Sequence, residues 1–226
     1  MKNNHRMTIM VVLALTFALI PSPLIGALWS EVGDAGASTG TAQTVTGSFE
    51  FTGIGGNLTS GDLDIYQIRI TNPVNFAFIV TFTGGHSDTI LALFNSSGLG
   101  VVYNDNITTA DARSRLDYTS TFVNTPGDYY LAIMGGGQTF MSVGGNIWNK
   151  DTLLDTQKTP DGPGAGGPLA GYAVFGDPTA IGSYTITVAG GVTPVPEPAF
   201  YGVAFALMGL VVAGIRSRSS SKSIFS

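Results

Sequence analysis

The chain has 226 residues, of which 11% are charged and 44% hydrophobic, with a formal net charge of −5, two histidines and no cysteine. Disulfides, cysteine–zinc sites and thiol catalysis are therefore excluded. All 15 acids lie between Glu31 and Glu197, whereas Lys2, Arg6, Arg216, Arg218 and Lys222 put half of the ten bases at the two ends; the stretch between carries about −10 and argues against nucleic acid as a partner.

The N-terminus has the layout of a secretory signal peptide, assigned to residues 1–37. Lys2, His5 and Arg6 form a basic region, Met7–Ile20 is apolar, and Pro21 and Pro23 break any helix that follows. Two cleavage sites are open. Ile25-Gly26-Ala27 lies close to the apolar segment, which puts the cut after 27. Ala35-Gly36-Ala37 has better small-residue chemistry but lies further downstream.

Residues 38–193 read as one domain's worth of chain. Short runs that alternate or carry β-branched and aromatic residues predict strands at Val45–Thr52, Leu63–Ile70, Asn75–Phe82, Thr89–Phe94, Val101–Asn104, Leu116–Phe122, Tyr129–Met134 and Tyr184–Ala189. In the second of these, Tyr66, Ile68 and Ile70 share the side expected to face the core. Ile90, Leu91, Leu93 and Phe94 read as core, and the consecutive Tyr129 and Tyr130 must face opposite sides of a sheet. No segment here has helical periodicity over ten residues. The expectation is an all-β fold, an antiparallel β-sandwich or jelly roll.

Residues 135–182 do not fit that pattern. They are dense in Gly and Pro and centre on Pro160-Asp161-Gly162-Pro163-Gly164-Ala165-Gly166-Gly167-Pro168. So long a connection is functional or disordered. Phe140 and Trp148 need burial, which favours a flap over one end of the sandwich rather than a mobile arm.

The ordered series Gly61-Asp62-Leu63-Asp64-Ile65-Tyr66, Ser87-Asp88-Thr89-Ile90-Leu91-Ala92-Leu93-Phe94, Tyr103-Asn104-Asp105-Asn106 and Gly127-Asp128-Tyr129-Tyr130 resembles the bacterial pre-peptidase C-terminal (PPC) domain over residues 45–135, with Gly182–Ala189 as a closing strand. The resemblance implies a small jelly-roll-like module accessory to secreted enzymes, often a binding module and in some members calcium-bound. No protease domain precedes it here, and the Gly/Pro insertion is a second departure. Asp62, Asp64, Asp88, Asn104 and Asp105 are the calcium candidates, because that ion takes six to eight hard oxygens and turn acids can converge at one end of a sandwich. The competing reading is hydrogen-bonded turn acids.

Enzymatic signatures are lacking. There is no Gly-x-Ser-x-Gly elbow, and the only histidine beyond the leader is His86, on a predicted turn. Glu31, Glu50 and Glu197 are the only glutamates. The expectation is a protein that is not an enzyme.

Residues 194–226 form a tripartite tail. Val195-Pro196-Glu197-Pro198 displays a carboxylate on a stiff extended backbone. Ala199–Ile215 carries no charge and as a helix spans roughly 25 Å, the short end of what a bilayer needs. Arg216 and Arg218 open a basic tail, residues 216–226, that predicts a cytoplasmic C-terminus. Motif, transmembrane helix and basic cluster together resemble the bacterial PEP-CTERM sorting signal. That resemblance implies recognition by an exosortase, removal of the span, and release or attachment at the cell surface or its exopolysaccharide. The combined expectation is an exported surface or biofilm-matrix protein that passes through the membrane and meets exopolysaccharide or another surface polymer. The alternative is a membrane-retained accessory module serving a separate secreted enzyme.

Overall fold

A computed structural model describes residues 26–47, 51–82, 88–149, 155–176 and 182–196. The expected span at 199–215, Glu197, Pro198, Arg216 and Arg218 lie outside these residues. Among the described residues no helix is long and apolar enough to cross a membrane.

The described chain is all-β. Its strands are β1 (Ala27–Ser30), β2 (Gln43–Thr44), β3 (Phe51–Leu58), β4 (Leu63–Ile70), β5 (Phe76–Phe82), β6 (Thr89–Asn95), β7 (Gly100–Asn104), β8 (Arg115–Asp117), β9 (Gly127–Gly135), β10 (Gln138–Ser142), β11 (Gly145–Asn146), β12 (Gly171–Val174), β13 (Gly182–Gly190) and β14 (Val192–Thr193). A 5-stranded sheet runs β1-β3-β13-β5-β8, and a 6-stranded sheet runs β14-β4-β9-β6-β7 with β2 also on β4. Pairing is antiparallel within both, except that β1 joins β3 and β2 joins β4 in parallel. The sheets are therefore mixed, where a purely antiparallel arrangement was expected.

One buried cluster joins the two sheets. Ile54, Phe78, Val80, Tyr184, Ile186 and Val188 come from the first, and Tyr66, Ile68, Ile70, Leu91, Leu93, Leu131 and Ile133 from the second. The face predicted for Tyr66, Ile68 and Ile70 is the one that enters this core. Strands β6 and β9 are buried on both faces, as their unbroken apolar runs require. Ile90, Ala92 and Phe94, with Ala132 and Met134, point the other way into a second cluster. Tyr129 belongs to the first cluster, and Tyr130 packs against the second.

The second cluster is where the Gly/Pro segment goes. Phe140, Ile147, Trp148 and Leu169 close over Leu63, Ile65, Ile90, Phe94, Tyr103 and Met134. The segment has strands of its own, a 3-stranded sheet β11-β10-β12. It covers the outer face of the larger sheet rather than one end of the core. Trp148 stacks on Tyr103 at 5.4 Å and meets Phe94 and Phe140 edge-on. The flap is fastened to β7 by reciprocal backbone bonds of 3.0 Å between Tyr103 and Lys158, and to the β6–β7 turn by Leu169 N–H to Gly98 O at 2.8 Å. Gly162 and Gly164 lie against the backbone of Asn146 and Gly145 so closely that neither has room for a Cβ.

Two predicted strands are shorter or displaced. Val45–Thr52 divides: β2 ends at Thr44, and β3 starts at Phe51 and continues through Gly53, Gly55 and Gly56. Leu116–Phe122 stops at Asp117, which caps a single 3-10 turn, Tyr118–Ser120, by accepting the Thr119 N–H at 3.0 Å. Thr121 follows in the left-handed region (φ 60°) and cannot extend a strand.

The folded chain begins upstream of residue 38. Strand β1 is part of the first sheet, Trp29 packs edge-on against Tyr66 at 5.7 Å, and Ala35 is fully buried.

Candidate functional site

Alternation along β4 sends Asp64 inward on the same face as Tyr66, at the end of the core nearest the β3–β4 turn. Asp64 is fully buried, and its Oδ2 accepts the Tyr184 hydroxyl at 2.6 Å. Its Oδ1 is buried with no hydrogen-bond partner. Burial pushes this carboxyl up to about 8; the Tyr184 hydroxyl opposes the rise, and the charges of Glu31, Asp62 and Asp34 add to it.

Three further carboxylates gather there. Oxygens of Asp34, Asp62 and Asp64 lie within 4.8 Å of one another. Glu31 accepts the Tyr66 hydroxyl at 2.8 Å on one oxygen and the Asn57 N–H at 2.7 Å on the other. Burial raises its pKa, against those two hydrogen bonds. Burial also raises both tyrosine hydroxyls well above their usual range, so they remain donors.

The local sequence explains how the group assembles. Asp62 organises the turn into β4: its carboxylate accepts the Thr59 N–H and hydroxyl at 3.0 Å and the Leu63 N–H at 2.9 Å. Gln43 holds the β1–β2 connection by accepting the Val32 N–H at 3.0 Å and donating to the Val32 and Asp34 carbonyls at 2.8 and 3.0 Å. Glu31 and Asp34 were missed by sequence reasoning because they fall within the segment assigned to the leader. The signal that could have found them is the onset of acids, since no carboxylate side chain precedes Glu31 in the sequence.

Asp88, Asn104 and Asp105 belong to a different region, at the β6–β7 side beneath the flap. The Asn104 amide is committed to backbone, donating to Asn106 O and accepting the Arg115 N–H, both at 2.8 Å. Asp105 Oδ1 is buried without a partner, and burial, reinforced by the charge of Asp88 and offset by Lys158, pushes this carboxyl to about 7. Lys158 itself is buried; it donates to Asn149 O and lies 3.7 Å from Asp161 and 5.3 Å from the centre of the Tyr103 ring. The structure therefore divides the five sequence candidates into two groups: Asp62 with Asp64, and Asp88 with Asn104 and Asp105.

Next to Asn104 a polar groove of about 260 Å³ opens between the β8–turn segment and the flap, lined by Ile107, Arg115, Thr119, Ser120, Asp155, Thr156 and Gln157. Asp117 braces its floor. The Gln157 side chain donates to Asp117 at 2.9 Å and accepts the Asp117 N–H at 2.8 Å, while Arg115 pairs with the carboxylate at 3.0 Å.

The first group has the chemistry of a hard-cation site: converging carboxylates, one of them with an orphaned buried oxygen, and no nitrogen or sulfur ligand. The groove offers the Arg115 guanidinium, the Asp155 carboxylate and the hydroxyls of Thr119, Ser120 and Thr156, while the Gln157 amide is spent on Asp117. Comparison with protein-family models, with curated proteins and with solved structures finds no match.

Proposed function

We propose that this chain is an exported bacterial cell-surface or exopolysaccharide-matrix protein, sorted and cleaved by an exosortase. Its two sheets form a jelly-roll-type β-sandwich that binds or braces polymer without catalysing a reaction. The observation that carries the binding role is the polar groove between the flap and the β8 turn, preformed by the Asp117 network. The sorting reading is supported by the placement of the tail motif. Strand β14 pairs with the edge of β4, the Val195 N–H is bonded to Val45 O at 2.8 Å, and Pro196-Glu197-Pro198 follows at once.

Calcium is the cation that fits Asp34, Asp62 and Asp64, since their carboxylate oxygens lie within 4.8 Å of one another and Asp64 holds one that nothing else satisfies. Bound there, it would supply charge neutralisation and hold the β1–β2 connection against β4.

The test is a pull-down of the purified protein on insoluble exopolysaccharide from its own cells. Direct binding that falls about tenfold, or about 1.4 kcal/mol, in an Arg115→Ala/Asp155→Ala variant supports the proposal. Retention only when a secreted enzyme is added would make the chain an accessory module instead.

A further inference from the structure

We infer that signal peptidase cuts between Ala27 and Leu28, and that Leu28–Ala37 is a working strap of the mature domain. The inference rests on the export reading and chooses between the two sites that the sequence leaves open.

The pairing of β1 with β3 changes at this bond. Ala27 is opposite Phe51, the register then shifts, and Leu28, Trp29 and Ser30 run in step against Gly53, Ile54 and Gly55. Of the two described residues upstream of the shift, Gly26 is held by one exposed bond, Thr52 Oγ1 to Gly26 O at 3.2 Å. Downstream the chain is tied in at several points, although Leu28 and Val32 stay exposed. Leu28 lies over Gly53 and Gly55, where added Cβ atoms would come 3.1 and 3.5 Å from its methyl carbons. Trp29 packs on Tyr66, the Glu31 N–H bonds to Gly55 O at 2.9 Å, and Glu31 accepts both Asn57 N–H and the Tyr66 hydroxyl. Gln43 clamps Val32 and Asp34, Ala35 is fully buried, and Ala37 packs on the second core.

Signal peptidase acts before the domain folds, so burial of the 35–37 site does not itself protect it. What separates the sites is the product. A cut after Ala37 removes an edge strand, leaves the Asn57 N–H and Tyr66 hydroxyl without their carboxylate, and uncovers Gly53 and Gly55. It also removes two of the four clustered acids. A cut after Ala27 removes only the out-of-register residue and what precedes it. It also falls a few residues beyond the apolar segment and its prolines, with Ala27 at the scissile position and Ile25 where an Ala-x-Ala site has its first small residue. In the hydrolysis, water gives its oxygen to the Ala27 carbonyl carbon as the C–N bond breaks. Ala27 leaves as a carboxylate and Leu28 starts the mature chain as an α-ammonium.

N-terminal sequencing and intact mass of the exported protein from its own cells test this. A mature chain starting at Leu28 is expected, and an Ala27→Phe precursor should keep its leader. A start at Ser38 overturns the inference while leaving export intact. A start at Met1 overturns both the inference and the reading of a cleaved leader. An Ala27→Phe precursor that still matures to Leu28 also overturns it.

Discussion

Tyr66 and Tyr184 meet hydroxyl to hydroxyl across the two sheets, with their oxygens 2.5 Å apart. Each hydroxyl has one proton and gives it to a carboxylate, Tyr66 to Glu31 and Tyr184 to Asp64, so the contact joins β4 and β13 at the acidic cluster. Networks of this kind respond as units, because each member fixes the orientation of the next.

Calcium binding should release protons. Folded Asp64 holds its proton to about 8, so at pH 7 a cation must displace it. Titration at pH 7 in buffers of different ionisation enthalpy should show release of about one proton per calcium, falling towards zero at pH 9. The melting temperature after chelation should rise with millimolar calcium in the wild type and stay unchanged in Asp34→Ala.

Without cation, the pH dependence has a definite sign. Asp64 titrates near 3.8 when exposed and near 8 when folded, so between those values the folded state binds more protons than the unfolded state. Stability in chelator should therefore fall as pH rises through that window and level off above about 8. Asp64→Asn should flatten the slope, leaving a smaller contribution from Asp105 that ends near 7. Melting temperatures from pH 5 to 9 check this, and a wild-type curve that climbs with pH would contradict it.

Gly56 lies beneath the tyrosine pair. A Cβ there would come within 2.6 Å of the Tyr66 hydroxyl and closer still to that of Tyr184. Gly56→Ala should cost about 1–3 kcal/mol by overpacking, and should weaken calcium binding in step because both hydroxyls must move. Urea unfolding and calorimetry on the same variant measure both effects.

Trp148 is the centre of the flap's attachment. Trp148→Ala should cost about 3–5 kcal/mol in denaturant unfolding. Limited proteolysis of that variant should cut first within residues 135–182, since the flap loses its anchor while the first core keeps its own.

Glu197→Ala should leave the C-terminal segment on the exported protein. Intact mass of the cell-surface fraction would show the longer chain beside a trimmed wild type. An untrimmed wild type would favour the membrane-retained alternative.

Where local pattern and tertiary demand agreed, the sequence was readable. Leu63–Ile70 has the boundaries expected from its alternation, and the two-sided burial of β6 and β9 was visible in their continuous apolar runs. The failures share a cause. Gly53, Gly55 and Gly56 lie beyond the strand expected at Val45–Thr52, but they are strand residues, with Leu28 close over Gly53 and the tyrosine hydroxyls over Gly56. The strands β10 and β12 were hidden because glycine and proline dominate their surroundings, although Phe140 and Trp148 did signal burial. Asp64 was visible as a candidate; Glu31 and Asp34 were not, because they fall inside the segment assigned to a leader, and only the fold brings them to β4.

The fastening of the flap along β7 and the turn before it closes an edge. Strand β7 is the last of the larger sheet, and its outward backbone groups would otherwise be open to a strand from another molecule. The paired bonds between Tyr103 and Lys158 occupy that rim, and Pro168, which has no N–H to donate, faces Leu99 beside it. The flap thus acts as a selvage: it closes that edge to the strands of neighbouring copies.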